Sequence, residues 1–354
     1  MYEFTFDNAE EFLINENLKY YKITNFRGTS ASKTEKDIFM PGKYFILPTD
    51  DNFWHLISEQ TTQYEILKDH VPDLKIFVLN MYNHDIGKDP IDIKSFCSKE
   101  SKRDSFKNLA YFEDFALAFT DSPMVYHLRG NNYILEEVYL ILDLRSMFKH
   151  NMFRRHGVFP YWTKIEYQRN DGSMQYENYP WTGQDDKRSI WQRDGLIKTR
   201  ERFSKIVERD ESFPKKIYIS RSDATRKWLS RPHDKEIFMR AFTEEPKLKE
   251  YFLSKGYTEV IMSDHSYKDQ LKFFYNATHI VGLCGTGLVN SFICQEGTQV
   301  VEILANGKYQ FSYRYMTQIA PIKFETIELR PDPKITAKID EKAIEKLERY
   351  NGIY

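Results

Sequence analysis

Between His279 and Ile303 the chain reads HIVGLCGTGLVNSFICQEGTQVVEI: an apolar β-like run, a glycine-rich turn, a short helix and a second buried strand closing on Glu302. At Gly285, Thr286 and Gly287 backbone N–H groups can approach an anion without Cβ obstruction, and the following helix adds its positive end. A nucleotide or nucleotide-sugar pyrophosphate suits such a turn, although a strand, a Gly-x-Gly and a helix also occur as plain packing. Glu302 could accept hydrogen bonds from ribose hydroxyls, as a carboxylate does at the equivalent edge of dinucleotide folds; it is equally an ordinary glutamate ending a strand.

Three further clusters carry chemistry. Ser220-Arg221-Ser222 ends the run KIYIS, and Arg226 lies five residues beyond Arg221. An arginine at a strand's carboxyl end can hold a phosphate bidentately, and a second can neutralise charge on a leaving diphosphate; surface arginines of a basic segment are the plainer alternative. Ser263-Asp264-His265-Ser266-Tyr267, with Gln270 after it, follows the run TEVIM. Asp264 and Ser266 fit the cap of the next helix better than a ligand contact, whereas His265 has no such structural reason. In Asp51–Glu59, DNFWHLISE, His55 and Glu59 are four residues apart. On a helix they share a face, so the carboxylate could orient the imidazole as a general base, or the pair could be a half-buried histidine bonded within its own helix. A zinc site is disfavoured, since there is no HExxH and no third ligand close by.

These clusters require elements to present them. The C-terminal half alternates strand and helix: strands at Lys216–Ser220, Thr258–Met262, His279–Leu283, Gln299–Leu304 and Phe324–Leu329, with helices at Asp234–Lys255, Tyr267–Asn276 and Gly287–Cys294. That alternation predicts a parallel, doubly wound sheet with its ligand at the carboxyl ends of the strands, where the glycine turn also lies. Upstream, a strand at Tyr44–Leu47, an aromatic helix from Asn52 to His70, a strand at Leu74–Leu79 and further candidates at Asp114–Phe119 and Val125–Leu128 predict a second, less regular α/β layer. The expected division is an N-terminal α/β domain over 1–205, carrying a loop excursion at 158–187 and a basic helix at 188–211. A Rossmann-like domain follows over 206–335, then a charged amphipathic helix within 336–354 that could cross back onto the first domain.

The formal net charge is −1, yet the segment from Arg145 to Arg231 holds 20 Lys/Arg against 11 Asp/Glu. This asymmetry suggests an anionic partner, unless the charges pair along a solvated helix. The chain is rich in Tyr (24) and Phe (26), enough for substantial cores and for stacking on sugars or bases. Cys97, Cys284 and Cys294 show no metal spacing and cannot all pair, which fits a reducing compartment. No secretory h-region and no run of about 18 apolar residues is present, so a soluble, cytoplasmic protein is expected, in the host cytoplasm if it is viral.

The order of the clusters resembles the family-61 glycosyltransferases. ISRSDATRKW, then YTEVIMSDHSYKDQLKFFYNATHIVGLCGTGLVNSFICQEGTQVVEI, is similar to that family's SR(S/T) strand end, (D/E)H(S/T)F segment with a later Gln, GxHGAxLxN turn and VVE(I/L) strand. The resemblance covers 215–304, and DNFWHLISE matches the family's amino-terminal histidine helix more thinly. It implies a GT-B-like fold, two Rossmann-like domains facing across a cleft, and inverting transfer from a nucleotide-sugar, most simply a UDP-sugar. No cofactor and no metal is required. It places Ser220, Arg221, Gly285, Thr286, Gly287 and Glu302 on donor-binding positions and Asp264-His265 on the nucleotide-side loop. His55, with Glu59 behind it, is then the expected catalytic base, with Arg221 and Arg226 against the leaving diphosphate. Two positions depart from the family pattern: Cys284 stands for the usual His and Thr286 for Ala. For the acceptor the basic 145–231 segment, with Trp162, Tyr167, Trp181 and Trp191, points to DNA carrying a hydroxymethylated base, as in phage DNA modification. The alternatives are a bacterial surface glycan, a non-catalytic nucleotide or polyanion binder, and a nucleotide-sugar epimerase.

Overall fold

The computed structural model describes residues 2–5, 7–15, 18–30, 37–48, 56–79, 118–119, 121–122, 124–126, 132–141, 190–222, 244–304 and 319–328. The sequence expectations for His55, Arg226, the 158–187 excursion and the 336–354 helix lie outside the described residues. The chain separates into two compact units, with Arg202 the last residue of the first and Phe203 resuming the second.

Unit 1 is built on a seven-stranded mixed sheet. Its described strands are β1 (Tyr2–Thr5), β2 (Asn8–Asn15), β3 (Leu18–Ser30), β4 (Asp37–Pro48), β5 (Lys75–Leu79), β6 (Met124–Tyr126) and β7 (Asn132–Ile141). The order is β1-β3-β7-β4-β5-β6, and β2 pairs with β3. β4, β5, β6 and β7 are mutually parallel, and β3 runs antiparallel to β7. Taken by themselves the parallel strands follow the order third, second, first, fourth, so the winding reverses between β4 and β7. Tyr44-Phe45-Ile46-Leu47 are all buried, which is why this run shows no alternation: the strand is covered on both faces. Just before it, Pro41-Gly42 breaks the register with β7 between Met40 and Lys43. Gly42 sits at φ +112, where a side chain would be strained, and its amide donates to Glu136 at 2.6 Å.

The aromatic segment after β4 departs from its expected regular helix. Leu56–Thr61 forms a π-helical turn that passes into α1 (Thr62–His70). The Thr62 hydroxyl donates to the Ile57 carbonyl at 3.3 Å, consistent with the wider turn. The expected basic helix is α2 (Ile190–Ser204). Arg202 on it is buried and donates to Glu65, to Asp121 at 2.5 Å and to the Ala118 carbonyl at 3.0 Å, with its guanidinium over the Phe119 ring. Lys198 pairs with Asp69. In this part of the segment, charge that suggested an anionic partner is spent on carboxylates of the fold.

Unit 2 carries a fully parallel five-stranded sheet: β8 (Lys216–Ser220), β9 (Thr258–Ile261), β10 (His279–Leu283), β11 (Gln299–Leu304) and β12 (Lys323–Glu328), in the order β12-β11-β10-β8-β9. This is the second common doubly wound order, with its reversal between β8 and β10. α3 (Glu245–Ser254) covers one face: Leu248 and Phe252 are fully buried with Tyr218, Val281, Val301, Ile303 and Ile327 in one apolar cluster. The helix stops at Gly256, whose φ of +79 suits a left-handed cap. α4 (Tyr267–Asn276) begins at Ser266, which accepts from the Asp269 amide at 3.1 Å and donates to its carboxylate at 2.7 Å. The helix expected at Gly287–Cys294 is a 3-10 helix over Thr286–Ile293. Gly287 explains part of the tightness, since a Cβ there would stand 3.2 Å from Met262 and 3.4 Å from Ile219. The Ser291 hydroxyl also bonds back to the Leu288 carbonyl at 2.6 Å.

Candidate functional site

The winding of unit 2 reverses between β8 and β10, so their carboxyl ends frame the crevice that such sheets offer a ligand. β8 ends at Ser220 and runs into Arg221-Ser222, and β10 runs into Cys284-Gly285. The two ends are joined by a side chain: Arg221 Nη1 donates to the Cys284 carbonyl at 2.7 Å. The guanidinium also lies against Gly285, where an added Cβ would come within 2.9 Å of Nη1 and 3.1 Å of Cζ. Gly285 itself is extended, so its glycine serves this close approach rather than an unusual backbone angle. Arg221 is half-buried, with its amide fixed by Glu245 Oε1 at 2.6 Å. The Ser220 hydroxyl donates to the same oxygen at 3.2 Å and accepts from the Ser222 amide.

The turn itself is pinned on its strand side by the Cys284 amide, which donates to the Ile303 carbonyl at 2.9 Å and so extends the sheet one step. Leu288 N donates to Gly285 O at 3.0 Å, closing the first 3-10 turn opened by Thr286. The contact between residue 284 and Arg221 runs through the main chain. The departure from histidine to cysteine therefore leaves this anchor of the arginine in place. Cys284 and Cys294 form no disulfide.

The loop after β9 is a 3-10 turn, Met262–Asp264. Asp264 is exposed and His265 half-buried, with its ring edge against Phe273 at 4.8 Å. Gln270 ties this loop down by donating to the Met262 carbonyl at 2.7 Å and the His265 carbonyl at 3.3 Å. Its own carbonyl accepts from Asn290, a fully buried residue of the 3-10 helix, at 3.4 Å. Two side-chain amides thus connect the Asp264-His265 loop to the element that follows the glycine turn.

Glu302 is fully buried, two residues before the end of β11, in register with Gly282 and Thr326, and Thr326 donates to it at 3.4 Å. Its carboxylate lies inside the sheet beside the β10 strand end, which fits the ordinary strand glutamate of the two sequence expectations rather than one that faces ribose. Glu59 lies in the π-helical turn of unit 1, where hydrogen bonds close over five residues rather than four. Glu245 belongs to no motif in the sequence, and Asn290 enters only as the closing position of the glycine-turn pattern. Their partners are 24 and 20 residues away along the chain, and only the folded sheet brings them together.

Among the described residues no group of three His, Cys, Asp or Glu side chains is placed to hold a metal ion, and no helix is long and apolar enough to cross a membrane. The family model described as Glycosyltransferase 61 matches residues 53–301, a span that takes in Phe53–Glu59 of the amino-terminal histidine segment, the Ser-Arg-Ser strand end, the Asp-His loop and the glycine turn. A search of curated proteins finds no match.

Proposed function

The chain belongs to glycosyltransferase family 61, and on that premise we propose that it is an inverting enzyme moving a sugar from a nucleotide-sugar, a UDP-sugar in the first instance, to an acceptor hydroxyl. The observation that carries this reading is the Arg221 guanidinium held on Gly285 where β8 and β10 part. A cation and a side-chain-free backbone meet there at the carboxyl edge of a doubly wound sheet, the place where such sheets bind phosphate groups.

The donor's diphosphate would lie against Arg221 and the amides of the Gly285-Thr286-Gly287 turn, with Arg226 as a second cation. Asp264 and His265 would face the nucleoside, with the buried Ser220 supporting the strand end from which Arg221 reaches the diphosphate. His55, backed by Glu59, would take the proton of the acceptor hydroxyl. The acceptor oxygen would bond to the anomeric carbon from the face opposite the diphosphate, which leaves with the electrons of the broken C–O bond. Charge gathers on the leaving diphosphate as the oxocarbenium-like transition state forms, and a preorganised arginine stabilises that charge more than the ground state. The GT-B arrangement belongs to this proposal, with closure of the domains excluding the water that would otherwise hydrolyse the donor.

For the acceptor, within the described part of the basic segment Lys198 pairs with Asp69, Arg202 with Glu65 and Asp121, and Lys215 with Glu211, which on this part of the surface supports a saccharide hydroxyl beside the DNA reading. A cation already paired with a carboxylate releases fewer counterions from a nucleic acid. Tight binding to hydroxymethylated duplex DNA that weakens steeply with salt would select the DNA reading.

The test is a panel of UDP-, GDP- and CMP-sugars incubated with the protein, with release of nucleoside diphosphate or monophosphate as the readout. Slow hydrolysis of one donor supports the enzyme reading and names the donor. Binding without turnover leaves a nucleotide binder, and interconversion of the sugar without release leaves an epimerase. In the productive pairing, His55→Ala is expected to reduce transfer by about 10²–10⁴-fold with donor binding intact. Near-normal transfer by that variant would remove His55 from the mechanism.

A further inference from the structure

Glu245 is only 3% exposed, at the first position of α3, and two donors converge on its Oε1: the Arg221 amide at 2.6 Å and the Ser220 hydroxyl at 3.2 Å. Burying a carboxylate is costly, and here the cost is offset by those donors and by the positive end of α3. The last ladder pair of β8 on this side is Ser220 with Ile261, so Arg221 is the first residue beyond the sheet. Its main chain is therefore set by a side chain from α3 rather than by a neighbouring strand. From that fixed backbone the guanidinium reaches the Cys284 carbonyl at 2.7 Å and packs on Gly285. Arg221 is held at both ends, at its amide by Glu245 and at its guanidinium by β10.

We propose that Glu245 is a positioning residue for the donor site: it fixes the backbone of Arg221 so that the guanidinium is already aimed when a nucleoside diphosphate arrives. This rests on the reading of Arg221 as the diphosphate-binding cation. The role follows from preorganisation, because an arginine that must be ordered during binding loses rotamer entropy that a fixed one has already lost on folding. Glu245 does not touch the ligand; it acts through Arg221.

The experiment is a double-mutant cycle read by calorimetric titration with UDP and with GDP, on wild type, Glu245→Asp, Arg221→Ala and the double variant. Glu245→Asp keeps the charge but withdraws the oxygen by one methylene, and is expected to weaken diphosphate binding about tenfold. Glu245→Gln keeps an acceptor oxygen at the same reach and is expected to bind within about twofold of wild type. In the Arg221→Ala background the effect of Glu245→Asp should vanish, which a merely structural role would not produce. The proposal is overturned by a Glu245→Asp protein that binds as wild type, or by an equal loss in both backgrounds. Failure of both Glu245→Asp and Glu245→Gln to melt cooperatively also overturns it, since Glu245 is then a folding residue. If wild type binds neither diphosphate, or Arg221→Ala binds as well as wild type, the donor reading itself falls; a normal Arg221 effect with a silent Glu245 overturns only the positioning role.

Discussion

At the scale of single residues, the position most exposed by the sequence is Cys284, which stands where the family resemblance leads one to expect histidine. In the structure the carbonyl of this residue accepts from Arg221, a bond that any side chain at 284 would leave available. Substituting Cys284 by Ala should therefore leave nucleoside diphosphate affinity within about twofold. Arg221→Ala should reduce it by about ten- to hundredfold, because a charge-assisted hydrogen bond is lost. Titration of both variants with the same diphosphate checks the pair, and a Cys284→Ala loss as large as that of Arg221→Ala would return the role to the thiol. The approach of Arg221 to the glycine turn follows from motifs legible in the chain. The glutamate beneath Arg221 was hidden, because Glu245 begins a helix that periodicity extends back to Asp234, and nothing local distinguishes it from the other acids there.

At the scale of elements, the parallel strands of the C-terminal half were readable because each is a short apolar run bounded by turn residues. The N-terminal strands were less so. β3 mixes polar and apolar residues without strict alternation, and only Ile23 and Phe26 among its described side chains are buried. Helix α2 read as a basic surface helix, but Gly195 on it lets α1 approach so closely that an added Cβ would meet the Thr62 carbonyl at 2.8 Å. Arg202 then ends in a pocket of Glu65, Asp121 and two aromatic rings. Removing one partner of a buried ion pair leaves the other uncompensated, so Arg202→Ala should cost about 3–5 kcal/mol in urea unfolding. A change below about 1 kcal/mol would reduce the cluster to an ordinary surface pair.

At the scale of the whole molecule, acid acts chiefly on unit 1; in unit 2 hydrogen bonds also hold the carboxyls of Asp210 and Glu211 down, but at the surface, where such pairs contribute little. Burial alone would push the Asp121 carboxyl up, but hydrogen bonds from Lys68 and Arg202 outweigh it and hold it well below the usual carboxylate range. Glu137 behaves alike, burial being outweighed by hydrogen bonds from Lys22 and Tyr139. Both lie in unit 1. A carboxylate whose pKa is depressed in the folded state contributes stability that is complete above its unfolded value, near about 4, and is lost as pH falls through the folded value. Unit 1 should therefore lose stability on acidification from about pH 5 downward, and a thermal melt that splits into two transitions below that pH would report it. A melt whose transitions fall together across that range would count against the assignment.

The two sheets also differ in how they are wound. Among the parallel strands of unit 1 the first stands between the second and the fourth, whereas in unit 2 the first stands between the second and the third. No superposition can match the units strand for strand in chain order beyond the first pair. A strand-by-strand equivalence carried from one described sheet to the other therefore fails at the third parallel strand, so the carboxyl edge of each sheet presents its own sequence of loops.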